Sequence, residues 1–167
     1  DLPKHNEKRL LNEQLAFFIG QNPETIAPNL TVHSTNQERY LAIIPPCSSL
    51  YRPEKRYLAP DSLAVKDLLQ SPLILTASGS AIRRQIGQLL QKYKVEATVL
   101  IESSQIYTAA ALAENNRGIA IVPESVVQAA TASPFNRYPM PEELLSHTYS
   151  IAHQAERALS NSEAAWI

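Results

Sequence analysis

Three short stretches combine helix-start residues, and in two cases hydroxyl groups, in a pattern that could do chemistry. They are Thr76-Ala77-Ser78-Gly79-Ser80, Ser103-Ser104-Gln105 and Val122-Pro123-Glu124. Each follows a strand-like apolar run and precedes a helix-like segment. Each therefore brings a helix N-terminus whose first amides have no partner inside the helix. Two of the three add hydroxyls. Aligned amides and hydroxyls suit a small anion, such as a carboxylate. Covalent catalysis is not indicated, because Ala77-Ser78-Gly79-Ser80 is not a G-x-S-x-G elbow and no other segment forms one. Neither a P-loop nor a G-x-G-x-x-G fingerprint occurs. The histidines (His5, His33, His147, His153) lack metal-ligand spacing. Cys47 is the single cysteine, which excludes an internal disulfide, a CxxC pair and a Cys-rich zinc site. We expect no catalytic residue, no metal and no cofactor.

The elements that must position these residues are clearest in the middle of the chain. Leu73 to Thr76 reads as a strand. Ile82, Ile86, Leu89, Leu90 and Tyr93 then fall at helical spacing. Ala97 to Ile101 is the next strand, and Ser103-Ser104 is read as the cap of a helix carrying Ile106, Ala109, Ala110 and Ala113. Gly118 closes that helix before the strand Ile119 to Val122. Pro123-Glu124 suits the first turn of a third helix, reaching about Ala132. Such βαβαβα alternation predicts a parallel sheet with helices on both faces, which puts all three junctions on one sheet edge. Arg83 and Arg84, one turn into their helix, oppose its dipole and are read as solvated cations, with contact of one of them to an anionic ligand as the alternative.

The flanking segments are read more coarsely. Asn6 to Gln14 is helical. Leu15 to Ile19 is a continuously apolar run, read as a strand buried on both faces, with Gly20 as a hinge-side turn beside the site. Leu30 to His33 and Tyr40 to Ile44 are strands, and Cys47 to Tyr57 is a surface loop. Asp61 is read as the N-cap of a short helix through Leu69. His147 to His153 is a strand that needs the first lobe's sheet as host, and a last helix begins at Asn161.

Composition bounds the class. The chain has 167 residues, 44% of them hydrophobic and 19% charged, enough for a packed core. Its 15 Lys+Arg against 16 Asp+Glu give a net charge of -1, which argues against a surface that neutralises many nucleic-acid phosphates. No apolar run approaches a membrane span, and the first residues do not read as a signal peptide. A cytoplasmic location is expected.

Two passages resemble the effector-binding domain of LysR-type transcriptional regulators. Pro72-Leu73-Ile74-Leu75-Thr76-Ala77-Ser78-Gly79-Ser80-Ala81-Ile82-Arg83-Arg84 is similar to that family's entry into its second lobe. Arg117-Gly118-Ile119-Ala120-Ile121-Val122-Pro123-Glu124-Ser125 is similar to its glycine-to-proline strand. Leu11 to Gly20, Arg39 to Pro45 and Ser150 to Ile167 add weaker matches, so the resemblance covers nearly the whole chain.

The resemblance implies an α/β fold of two Rossmann-like lobes, of the type II periplasmic-binding-protein kind, with the first lobe incomplete at its N-terminus. Residues 1–70 plus 142–167 would form the first lobe, and 71–141 the second. It implies a small, carboxylate-like effector held in an interlobe cleft by Ile19, Gly20, Thr76, Ser78, Gly79, Ser80, Ser103, Ser104, Gln105, Val122 and Pro123. It further implies self-association, and contact with DNA only through a separate winged helix. Two other classes share the scaffold: a solute-binding protein serving a transporter, and, less favoured for want of an acid/base or cofactor signature, an enzyme.

Overall fold

Tyr40 to Ile44 is buried at every position, so it must have neighbours on both sides and cover on both faces. The computed structural model, which describes residues 8–22, 27, 29–127 and 134–165, meets that requirement with a five-stranded sheet. Its strands are β3 (Tyr40–Ile44), β4 (Leu73–Thr76), β5 (Val99–Ser103), β6 (Ile119–Pro123) and β7 (Asn136–Pro139), in the order β5-β4-β6-β3-β7. β4 pairs in parallel with β5 (Leu73↔Val99) and with β6 (Leu73↔Ile119), as the alternation predicts. The parallel strands do not close the sheet by themselves. β3 adds antiparallel to β6 (Leu41↔Val122), and β7 adds antiparallel to β3 (Ala42↔Tyr138).

Strand parity decides which helix covers which face. Ala42, Ile44, Leu73, Leu75, Ile119 and Ile121 form one core with Leu68 and Leu69 of α1 (Val65–Gln70) and Ile82, Ile86 and Leu89 of α2 (Ala81–Tyr93). The alternate positions, Ile43, Ile74, Ala120 and Val122, pack with Ala109, Ala110 and Ala113 of α3 (Ile106–Glu114). Alanines on this face let the α3 backbone lie close to the sheet. Where α3 gives way to β6, Gly118 adopts φ +139°, and a Cβ there would come within 3.1 Å of both Pro72 O and Leu100 Cδ1.

The chain divides into two compact units, unit 1 of residues 1–37 with 147–167 and unit 2 of residues 38–146. β3, read from sequence as part of the first lobe, therefore belongs to the five-stranded sheet. Local sequence marks the strand but does not say in which sheet it pairs.

Unit 1 holds a three-stranded sheet of β1 (Phe18–Gln21), β8 (His147–Gln154) and β2 (Leu30–Glu38), in that order. β8 is central, as its need for a host sheet required. β1 pairs with it antiparallel, Ile19 opposite Ile151 and Gly20 opposite Ser150. Two expectations are corrected here. The strand starts at Phe18 and is an edge strand, with Phe18 buried in a core of Leu10, Leu30 and Ala152 and Ile19 69% exposed. Gly20 is a mid-strand residue, not a turn. Edge position exposes alternate side chains whatever the run's hydrophobicity.

Further differences are local. α1 begins at Val65 after Ala64, with no side-chain cap, while Asp61 sits in a turn at φ +59°. After β6 the described chain makes only a 3-10 turn, Glu124–Val126. The rest of the expected third helix, residues 128–133, lies outside the described residues. One helical turn is described at residues 8–11, and the final helix α4 spans Asn161–Ala164.

Candidate functional site

The β4-to-α2 junction is built around two hydroxyls. Ser80 is the N-cap of α2, and its Oγ accepts a hydrogen bond from the Arg83 amide at 3.2 Å. Thr76, the last residue of β4, places Oγ1 2.7 Å from the same Ser80 Oγ. Gly79 turns the chain at φ +97°, a left-handed conformation that favours glycine. Ser78 and Gly79 are exposed, whereas Thr76 is buried.

The β5-to-α3 junction lies directly beside it. Thr76 is in register with Ser103, and the Ala77 amide donates to Ser103 O at 2.8 Å. The expected cap is corrected: Gln105 is the N-cap of α3, without a side-chain cap bond. Ser103 instead closes a local turn, its Oγ accepting from the Gln105 amide at 3.2 Å and donating to Gln105 O at 3.1 Å. Ser104 and Gln105 are exposed.

Because β4 and β6 are parallel, the end of β6 reaches the same edge. There Val122 and Pro123 are both buried, Val122 in the α3-side core, so the edge is bordered by the backbone that leaves β6 at Pro123 toward Glu124. Arg39 pins this corner. Its Nε lies 2.7 Å from Glu124 Oε2, and that hydrogen bond, with the charge of Glu124, raises the guanidinium pKa from its ordinary value. The Glu38 carboxylate accepts from the Ser125 amide. Thr76, Ser78, Gly79, Ser80, Ser103, Ser104, Gln105 and Pro123 thus share one edge of unit 2, while Ile19 and Gly20 lie in β1 of unit 1.

One side chain at this edge escapes sequence reasoning, and one sequence reading of a cation is corrected. Glu102, on β5, places Oε1 3.4 Å from the Ser78 amide, so a carboxylate already stands at the turn. Arg83, read as a solvated cation, is half-buried, and its Nε is buried without a hydrogen-bond partner. Arg84 is exposed as expected. An Arg at the third position of a helix looks unfavourable against the dipole, and that sign conflict was the available signal. Among the described residues no group of three or more His, Cys, Asp or Glu converges.

Comparison with known proteins places this geometry in a family. The family model described as the LysR substrate binding domain matches residues 4–167. No curated protein matches the chain. Among solved structures, the effector binding domain of QuiR in complex with shikimate has a TM-score of 0.77 at 14% identity, over 99% of this chain and 75% of that one. The Synechocystis PCC6803 CcmR regulatory domain in complex with 2-PG has a TM-score of 0.74 at 16% identity, over 97% and 74%. Full-length BenM has a TM-score of 0.72 at 15% identity, and this chain spans 51% of its length. Identities this low establish the shared α/β fold.

Proposed function

The chain belongs to the LysR substrate-binding-domain family, and on that premise we propose that it is the ligand-sensing module of a LysR-type transcriptional regulator, binding a small anionic metabolite at the C-terminal edge of β4 and β5. The family is regulatory and not enzymatic. One observation carries the location: the Ala77–Ser103 hydrogen bond joins the two hydroxyl-bearing junctions into a single surface. The unpartnered Arg83 Nε, three residues into α2, supports the anionic character of the ligand. The QuiR and CcmR domains, each bound to a small molecule, support a small effector here.

The anion displaces the long Ser78–Glu102 contact and takes its place on amide and hydroxyl donors. In the complete regulator, binding favours one of two arrangements and so alters how a separate winged helix-turn-helix domain meets DNA. That outcome requires different affinities for the two arrangements, not mere binding. Among the described residues no helix is long and apolar enough to cross a membrane, and we place the regulator in the cytoplasm.

Thermal-shift screening of small carboxylates, followed by calorimetry, tests this reading. Thr76→Val or Ser103→Val should weaken binding by about 1–3 kcal/mol, roughly five- to 150-fold. Ser49→Ala, in the Cys47–Tyr57 loop, should leave it unchanged. Unaltered affinity in both hydroxyl variants, with folding intact, moves the effector elsewhere.

Self-association is part of the same proposal. β5 is an edge strand whose Val99 and Leu100 are 42% and 52% exposed, a surface suited to a second copy. Sedimentation at high micromolar concentration should show a species larger than the monomer. A single monomeric boundary rejects this part.

A further inference from the structure

His33 and His153 stand 120 residues apart in sequence, yet the three-stranded sheet makes their strands, β2 and β8, neighbours. The two Nε2 atoms are 3.2 Å apart. The ring planes differ by 14° and the centroids are 5.3 Å apart. So long a centroid distance beside so short a nitrogen separation means that the rings meet edge to edge, nitrogen toward nitrogen.

The proton arrangement follows from one further contact. His153 Nδ1 lies 2.8 Å from the carbonyl oxygen of Gln154. A carbonyl only accepts, so Nδ1 carries the proton and Nε2 of the neutral ring is a bare lone pair. His33 then donates to it through its own Nε2–H. A ring oriented through Nδ1–H by a backbone carbonyl, with Nε2 free, is the arrangement that metal-ligating histidines use. His153 is buried, and the Phe17 ring stands edge-on to it at 6.3 Å. His33 is only half-buried, which leaves an approach from solvent.

We propose that His33 and His153 form a two-imidazole site for a divalent transition-metal ion of the Zn²⁺ or Cu²⁺ class. Two imidazole nitrogens, each about 2.0–2.1 Å from one ion, stand roughly 3–3.4 Å apart in adjacent coordination positions, and the observed 3.2 Å falls in that range. On binding, the His33 proton exchanges through solvent from Nε2 to Nδ1, both rings pivot slightly toward the ion, and both stay neutral. Water fills the remaining positions, so the site is open and exchangeable and differs from a closed structural zinc centre. β2 runs into residue 38, where unit 2 begins, and β8 starts at residue 147, just after unit 2 ends. The ion therefore ties together the two strands through which the chain enters and leaves unit 2.

The test uses the whole chain in a Cys47→Ser background, which removes the exposed thiol as a competing ligand. Calorimetry with Zn²⁺ should show one equivalent bound. The electron paramagnetic resonance spectrum with one equivalent of Cu²⁺ should carry the splitting of two nitrogen donors. His33→Gln and His153→Gln should each weaken Zn²⁺ binding by about tenfold or more, through loss of one of two chelating donors, while His5→Gln leaves it unchanged. Should a variant fail the circular-dichroism check of folding, the unsubstituted imidazoles decide: Zn²⁺ should shift the ¹⁵N resonances of both His33 and His153. No binding at millimolar ion, a one-nitrogen spectrum, or equal affinity in the folded variants overturns the proposal.

Discussion

Thr76 Oγ1 lies 2.7 Å from Ser80 Oγ, so one hydroxyl pair ties the end of β4 to the first turn of α2. Ser80 uses the same oxygen to accept from the Arg83 amide, which orients the helix N-terminus over the sheet edge. Ser80→Ala removes both interactions and should cost about 1–2 kcal/mol in urea unfolding. Ser80→Asp retains an acceptor for Arg83 and for the Thr76 hydroxyl and should cost clearly less. Equal losses in the two variants would mean that the cap is not what stabilises the junction.

Two glycines make a matched pair. At Gly118, with φ +139°, an added Cβ meets Pro72 O and Leu100 Cδ1 at 3.1 Å, and the φ itself is strained for any other residue. Gly118→Ala should destabilise by about 1–3 kcal/mol. At Gly87, inside α2, an added Cβ meets nothing within 4 Å. Gly87→Ala should stabilise by about 0.4–1 kcal/mol, because it restricts the unfolded chain and favours helix. Denaturant midpoints of the two variants should move in opposite directions.

Asn136 holds the Cys47–Tyr57 loop from inside the sheet. Its side chain is fully buried, accepts from the Arg52 amide at 2.7 Å, and donates to Arg52 O at 2.9 Å and to Lys55 O. Asn136→Ala leaves those backbone groups to find other partners and should cost about 1–3 kcal/mol. Limited proteolysis should then cut between Arg52 and Tyr57 faster than in the parent. Unchanged cleavage would show that other contacts hold the loop.

Acid should release the cap of α4. The Glu163 carboxylate accepts from the Ser160 amide at 2.9 Å and from Arg157 Nη2 at 2.6 Å. These bonds, the Ser160 amide first, hold its pKa down to about 2 from an ordinary 4.5. The folded form keeps Glu163 ionised where the unfolded chain protonates it. Its stabilisation is therefore complete above about pH 4.5 and fades as pH falls toward 2. The Ser160 amide proton of the folded chain should titrate by NMR with a midpoint near pH 2, and Glu163→Gln should abolish the transition.

Local physics made much of unit 2 legible. The short apolar runs Leu73-Ile74-Leu75 and Ile119-Ala120-Ile121-Val122, the helical spacing from Ile82 to Tyr93, and the glycines at 79 and 118 each specify an element through hydrophobic pattern or backbone conformation. Those signals need only neighbouring residues, and with the handedness of βαβ crossovers they put three junctions on one edge. What they do not contain is pairing partners. Leu15 to Ile19 reads as doubly buried, yet an edge position leaves Ile19 in water. Tyr40 to Ile44 reads as a short strand, yet only its pairing with Leu41↔Val122 register assigns it to the larger sheet. A hydroxyl before a helix reads as its cap, yet the Ser103 oxygen closes a turn on Gln105. The burial of Arg83 Nε and the meeting of His33 with His153 arise from packing and strand order across the chain. Long-range contacts of that kind depend on topology and register, which no local window of sequence encodes.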